Sequence, residues 1–168
     1  MTDAAFEAAV ELYADMVFRL AYSYLKNRAD AEDVMQETLL KLYTQAPFDT
    51  PEHERFWVVR VAVNECRRLL RSPWRCRTGP LEEAPETAVF DTPAQSELFR
   101  EVMALPPKYR AAVYLHYYEG YSVREVACAM NANPSTVQTW LLRARERLRK
   151  SLTEEKEGSV HVRPEIVP

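Results

Sequence analysis

SVREVACAMNANPSTVQTWLLRARERLRK, Ser122 to Lys150, decides the fold. Ser122 with Glu125 forms a Ser-x-x-Glu capping box, in which each side chain satisfies a backbone donor at the start of a helix. That helix is expected from Val123 to about Met130. Asn131-Ala132-Asn133 supplies turn chemistry, because Asn tolerates the left-handed region and caps helices. Asn133-Pro134 then reopens a helix, with Pro at the first helical position, where its missing N–H costs nothing. Val137, Leu141, Ala144 and Leu148 fall on one stripe of this second helix. Ser135, Gln138, Thr139, Leu142 and Arg143 face the other way. Two short helices about such a turn make a helix-turn-helix, whose second helix sets its N-terminal residues against base edges.

Working outward, the 168 residues suffice for one ordinary domain or two small ones. An apolar share of 47% beside 28% charged residues excludes a disordered or fibrous chain. Three glycines and an abundance of Leu, Ala, Glu and Arg predict an all-α fold. No run approaches the roughly 18 apolar residues of a membrane span, and the acidic N-terminus lacks a signal-peptide core. A cytoplasmic protein without membrane insertion is expected. Cys66, Cys76 and Cys128 lack metal-ligand spacing. Cys66 and Cys128 sit in apolar helical patterns and read as small core residues.

The net charge of −3 conceals an alternation along the chain. Residues 1–50 sum to −5, 51–78 to +4, 79–105 to −5, 106–150 to +5 and 151–168 to −2. Two basic blocks separated by an acidic one point to two contacts with a polyanion.

From the N-terminus, Phe6, Val10, Tyr13, Val17, Leu20, Ala21 and Tyr24 recur at helical steps. Lys26-Asn27-Arg28 breaks the pattern, and Asp30 is expected to open a second helix, DAEDVMQETLLKLY, with acid in its first turn. Ala31, Val34, Met35, Thr38, Leu39 and Leu42 form its inner side. Asp33, Gln36, Glu37 and Leu40 share another face, where an apolar residue among carboxylates suits a basic partner surface better than water alone. Thr44 to Glu52 holds two prolines and reads as a loop.

His53 to Arg71 follows as a long helix, with Phe56, Val59, Val63, Cys66 and Leu70 toward a core. Arg55, Arg60, Arg67, Arg68 and Arg71 populate its remaining surface, with Phe56 and Trp57 at its N-terminal end. Arginines pair with phosphates and aromatics stack on unpaired bases, a combination suited to single-stranded or partly opened DNA. Residues 73–93 carry several prolines and a run of acid without an apolar stripe, so they read as a linker. A short helix is expected over Ala94–Leu105, with Leu98, Val102 and Leu105 on one side. Another begins after Pro106-Pro107 and closes at Gly120, its Val113, Leu115, Tyr117 and Tyr118 forming the core under the helix-turn-helix. The tail after Leu152 is polar and is expected to be disordered. No enzyme constellation, phosphate loop or cofactor motif appears.

DAEDVMQETLLKLY, then FWVVRVAVNECRRLLR, then LPPKYR and the EGYSVREVA…STVQ series resemble, in that order, the extracytoplasmic-function sigma factors of the bacterial sigma-70 family. The resemblance covers about Phe6 to Leu152. It implies a region 2 domain over 1–72, a linker over 73–93, a region 4 helix-turn-helix domain over 94–152 and a tail over 153–168. It implies no enzyme activity and no cofactor. The partners it implies are core RNA polymerase, double-stranded and locally melted promoter DNA, and an anti-sigma factor.

Residue by residue, the resemblance gives Asp33, Gln36, Glu37, Leu40 and Lys41 to polymerase docking. The loop from Thr44 to Glu54 and the helix after it would read and melt the −10 element, through His53, Arg55, Phe56, Trp57, Arg60, Asn64, Arg67, Arg68 and Arg71. The −35 element would meet Arg124, Ser135, Thr136, Gln138, Thr139, Leu142 and Arg143. Family members commonly carry Lys, Ser and Arg where this chain has Gln138, Thr139 and Trp140, and often His at Leu142. Gln138 can pair bidentately with adenine, and Thr139 or Leu142 can meet a thymine methyl. Trp140 lies at the edge of the buried stripe, and its phase favours packing. Two other readings fit a helix-turn-helix: a dimeric transcriptional regulator, and a polymerase-binding regulator without initiation activity.

Overall fold

The computed structural model describes residues 1–45, 47–73 and 93–158, all of whose regular elements are helical. The order is α1 (Asp3–Leu25), α2 (Arg28–Thr44), α3 (Pro51–Leu70), α4 (Pro93–Met103), α5 (Pro107–Val113), a π-helical turn (Tyr114–Tyr118), α6 (Val123–Ala129) and α7 (Pro134–Gly158). The linker expected over 73–93 and Cys76 lie almost wholly outside the described residues. α7 continues through Gly158, so the first residues of the expected tail are helical and 159–168 lie outside the description.

α1, α2 and α3 pack mutually as a three-helix unit. Tyr13, Val17, Leu20, Ala21 and Tyr24 of α1 meet Ala31, Val34 and Leu42 of α2 and Val58, Val59, Ala62, Val63 and Cys66 of α3, all buried. Each such large apolar side chain contributes about 1.5–3 kcal/mol on burial. Asn27, and not Asp30, caps α2: its side chain accepts from the Asp30 N–H at 2.9 Å, so the helix opens two residues earlier than expected. Lys26 takes the left-handed φ of 58° that ends α1, and an Asn cap directly after it lets two helices meet in a minimal turn. Thr50 caps α3, accepting from the His53 N–H at 3.1 Å with Pro51 at the first turn, which starts this helix before His53.

In the second unit α7 runs against α4, α5 and α6. Ala111, Ala112, Leu115, Val126, Ala127, Met130, Val137, Leu141 and Ala144 are buried there. Tyr117 and Tyr118, expected in this core, are 53% and 65% exposed. The cause is the π-helical turn: the Glu119 N–H reaches back five residues to the Tyr114 carbonyl at 3.1 Å, which widens the turn and shifts the helical phase. Leu115 stays inside while the two following tyrosines swing out. Leu98 of α4 is also exposed, the apolar side there being carried by Met103 and Leu105. Cys128, expected inside, is exposed, whereas Cys66 is fully buried and its thiol pushed well up by burial.

The two units are not separate bodies. The buried cluster runs without interruption from α1 through Ala111, Ala112 and Leu115 to Val126 and Met130, and α1 packs on α5 while α3 packs on α6.

Candidate nucleic-acid interface

α2 presents the first candidate surface. Asp33, Gln36 and Leu40 are exposed, Leu40 at 60%, and Glu37 is half-buried beside them. Lys41 does not project freely. Its Nζ lies 2.5 Å from Glu65 Oε1 of α3 and 3.4 Å from Glu37 Oε1. Glu65 is almost wholly buried, and its second oxygen accepts from Arg68 Nε at 2.7 Å. Burial opposes ionisation of this carboxyl, but the hydrogen bonds and charges of Lys41 and Arg68 outweigh it and hold the group below its ordinary range. One carboxylate therefore ties a lysine of the α2 face to an arginine of the α3 face. The signal for it was present: Glu65 is a lone acid on the Val58–Ala62 stripe, three residues before Arg68.

α3 presents the second. Arg60, Asn64, Arg68 and Arg71 are exposed, and Arg67 is half-buried. At its N-terminal end the exposed His53 meets Phe48 edge-on, ring centroids 5.4 Å apart, and Phe48 packs on Trp57 at the same distance. Phe56 and Trp57 are half-buried against the core, so the loop before α3 is stapled to its first turns through Phe48. The Tyr13 hydroxyl donates to Glu54 Oε1 at 3.0 Å and fixes the same end to α1. Arg55 and Arg67 point to the other unit. Arg55 Nη2 donates to the Glu119 carbonyl and to Glu119 Oε2, each at 3.2 Å, and its guanidinium lies over the Tyr121 ring. Arg67 donates to the Met130 carbonyl.

The helix-turn-helix forms as its sequence reads. Both halves of the Ser122–Glu125 capping box are present, Asn131 takes a φ of 48°, and the Asn133 carbonyl accepts from Val137 N–H at the head of α7. Ser135, Gln138, Thr139, Leu142 and Arg143 share the outward side of α7, with Thr136 half-buried at its edge and Arg124 exposed on α6. The Thr139 hydroxyl donates to the Ser135 carbonyl at 3.0 Å, which occupies its one donor and leaves Gln138 and Leu142 as the freer groups. Trp140 is half-buried against the core, with Lys108 Nζ 5.8 Å from its ring centroid. Arg143 and Arg147 both lean toward Tyr109, by a 3.5 Å contact and a ring contact.

The arrangement supplies two surfaces of cations with aromatic, amide and apolar neighbours, the groups that hold phosphates and discriminate bases. Among the described residues no cluster of His, Cys, Asp and Glu is arranged to hold a metal, and no helix is long and apolar enough to cross a membrane. The residues that sequence reading passed over are Glu65, Arg19, Arg110 and Glu119, all of which act between elements distant in the chain.

The pattern described as Sigma-70 region 2 matches residues 9–76, and that of Sigma-70 region 4 matches residues 96–148. The chain is 30% identical to the ECF RNA polymerase sigma factor SigE of Mycolicibacterium smegmatis, over 88% of its own length and 62% of that protein's. It is 31% identical to the ECF RNA polymerase sigma factor SigM of Mycobacterium tuberculosis, over 88% of this chain and 77% of the other. In fold it is similar to the sigma factor RpoE of Bartonella quintana, solved in complex with the anti-sigma factor NepR, with a TM-score of 0.68, 20% identity and coverage of 89% and 97%. With region 2 on α1–α3, region 4 on α4–α7 and these relatives, the chain belongs to the extracytoplasmic-function sigma factors of the sigma-70 family, which direct transcription initiation.

Proposed function

We propose that this chain binds core RNA polymerase through α2, reads and opens the −10 element with α3 and the loop before it, and anchors the −35 element with α7. The observation that carries the reading is the pair of recognition surfaces on two helical units, accompanied by a third face where Leu40 stands 60% exposed among Asp33, Gln36 and Glu37. An exposed leucine beside carboxylates favours a partner that covers it while pairing the charges. Arg55, Arg60, Arg67, Arg68 and Arg71 supply phosphate contacts, Trp57 and Phe56 a stacking surface for an extruded base, and Asn64 a hydrogen-bonding group beside them. On α7, Gln138, Thr139 and Leu142 favour A or T in the −35 element, with Arg124 and Arg143 on the backbone. Lys41 works from its Glu65 pair, as part of a fixed surface. The protein acts in the cytoplasm, and an anti-sigma factor is its controlling partner, a reading supported by the similar RpoE having been solved in complex with the anti-sigma factor NepR.

Run-off transcription with purified core enzyme and this chain on genomic fragments is expected to yield a small set of defined starts. Leu40→Asp should abolish capture of core while leaving the thermal melt unchanged, because the side chain is largely in water already. A wild-type chain that neither captures core nor yields defined starts overturns the reading. A dimeric regulator or a non-initiating binder would have no use for all three faces at once.

A further inference from the structure

Four arginines join the two units, and two of them are the cations just assigned to DNA. Arg110 of α5 is 6% exposed, and its guanidinium faces only backbone oxygens. Its Nε donates to the Ser23 carbonyl at 2.5 Å and Nη2 to the Tyr24 carbonyl at 3.0 Å, both at the C-terminal end of α1. Its Nη1 donates to the Leu105 carbonyl at 2.5 Å, with Met103 O at 3.5 Å. The last turn of α1 holds no basic residue of its own, so Arg110 brings a positive charge from the other unit to its negative helix end. Around this point Arg19 of α1 donates to the Tyr118 hydroxyl, Arg55 to Glu119, and Arg67 to the Met130 carbonyl in the turn of the helix-turn-helix. Each donor hydrogen committed to a carbonyl or carboxylate of the protein is unavailable to a phosphate in the same geometry.

We infer that the docked arrangement is a partly self-masked state: region 4, latched onto α1 through Arg110, occupies Arg55 and Arg67, and the units must part before these two arginines join Arg60, Arg68 and Arg71 in holding DNA. The inference rests on the assignment of Arg55 and Arg67 to DNA. It requires no second protein. Docking within one chain incurs no association entropy between molecules, so a modest contact suffices to populate it. The share of DNA affinity that Arg55 and Arg67 carry is then available only to the open fraction of molecules. The exposed Tyr117 and Tyr118, thrown outward by the π-helical turn, let region 4 reach Arg19 without burying the tyrosines.

The test uses the full-length chain and a fluorescent mixed-sequence single strand of about 20 nucleotides, since phosphate contacts carry most of the affinity regardless of sequence. Small-angle scattering reads the separation of the units. The wild-type chain should be compact, with a radius of gyration near the roughly 15–16 Å of a globular chain this long. Arg110→Ala should expand it and tighten binding of the strand about tenfold. Adding Arg67→Ala to that variant should remove most of the gain. Because Arg110 also holds Met103 and Leu105 within its own unit, Glu119→Ala provides an independent release, freeing Arg55 with a smaller gain of about threefold. An already extended wild-type chain overturns the latch, as does an Arg110→Ala chain that stays compact. Opening without tighter binding overturns the masking. The two failures separate through Arg67→Ala alone. If it weakens binding as much in the wild-type chain as in the opened one, the DNA assignment stands and the masking falls. If it weakens neither, the DNA assignment itself falls.

Discussion

The two helices proposed to meet DNA, α3 and α7, allocate their polar groups in opposite ways. On α3 three of the arginines are engaged by the protein, Arg55 by Glu119, Arg67 by the Met130 carbonyl and Arg68 by Glu65, while Arg60 is exposed. On α7 the outward positions are mostly neutral and open, Gln138 and Leu142 among them, and Arg143 only brushes Tyr109. A cation already oriented by protein oxygens adds phosphate affinity only when its partner lets go, whereas a neutral side chain in water is ready to discriminate bases but adds little affinity. On the proposed function, the difference gives attachment and its control to α3, and sequence preference to α7.

The largest expected effect comes from removing what holds the open helix in place. Leu141 is 4% exposed and lies between the two outward groups Gln138 and Leu142 on the inner side of α7. Leu141→Ala should cost about 3 kcal/mol through lost transfer energy and a residual cavity. Urea unfolding followed by circular dichroism reads it. A loss below about 1 kcal/mol would mean that the site collapses freely and that α7 is not a rigid reader.

How much of this was legible in the sequence follows from the range of the forces involved. Caps, turns and periodic stripes act within a few residues, so the Ser122 capping box, the left-handed Asn131 and the burial of Val137, Leu141 and Ala144 were all readable. Tyr117 and Tyr118 were misplaced because a π-helical turn changes the helical period, and nothing in YLHYY marks the change. α2 starts two residues before Asp30 because Asn27, which breaks the apolar pattern, also caps the next helix. At the site, the outward faces of α2, α3 and α7 followed from period alone. Arg110 bonding to Ser23 and Arg67 bonding to Met130 did not, because their acceptors are backbone carbonyls, which every residue has and no sequence pattern singles out. Glu65 stands between these cases: its position among apolar residues was a signal, but its partner Lys41 is set by packing of α2 on α3.

Glu65 also gives the comparison a pH test of intermediate size. Its folded pKa lies below the unfolded value, so its stabilisation is present above the ordinary carboxylate range and is lost as pH falls through the folded pKa. Lys41 and Arg68 are 42% and 66% exposed in their side chains, so water screens much of the attraction. Glu65→Gln should therefore cost only about 1–2 kcal/mol at neutral pH. Other carboxylates titrate over the same range, and the informative quantity is the wild-type minus variant difference. It should hold steady above the ordinary carboxylate range and close as pH falls through the lowered folded pKa. A difference that stays level as pH falls would show that Lys41 and Arg68 do not favour the ionised carboxylate in the folded chain over the unfolded one, and that the faces of α2 and α3 are not tied through it.

The smallest effect on stability sharpens the comparison most, because it isolates the open helix. Leu142 follows Leu141 directly, yet it is 49% exposed against 4%. Leu142→Ala removes side chain already half in water and replaces one good helix former with another, so stability should move by less than about 0.5 kcal/mol. A leucine left in water at the outward side of a recognition helix gains its value only when a thymine methyl or another apolar surface covers it. Selection of randomised duplexes by holoenzyme reconstituted with the variant should then relax preference at one −35 position, with discrimination there falling about fivefold. Preference at the position read by Gln138 should persist. If Leu142→Ala instead weakens binding to every duplex equally, the leucine contributes to attachment and not to reading, and the division of labour between α3 and α7 fails at its clearest residue.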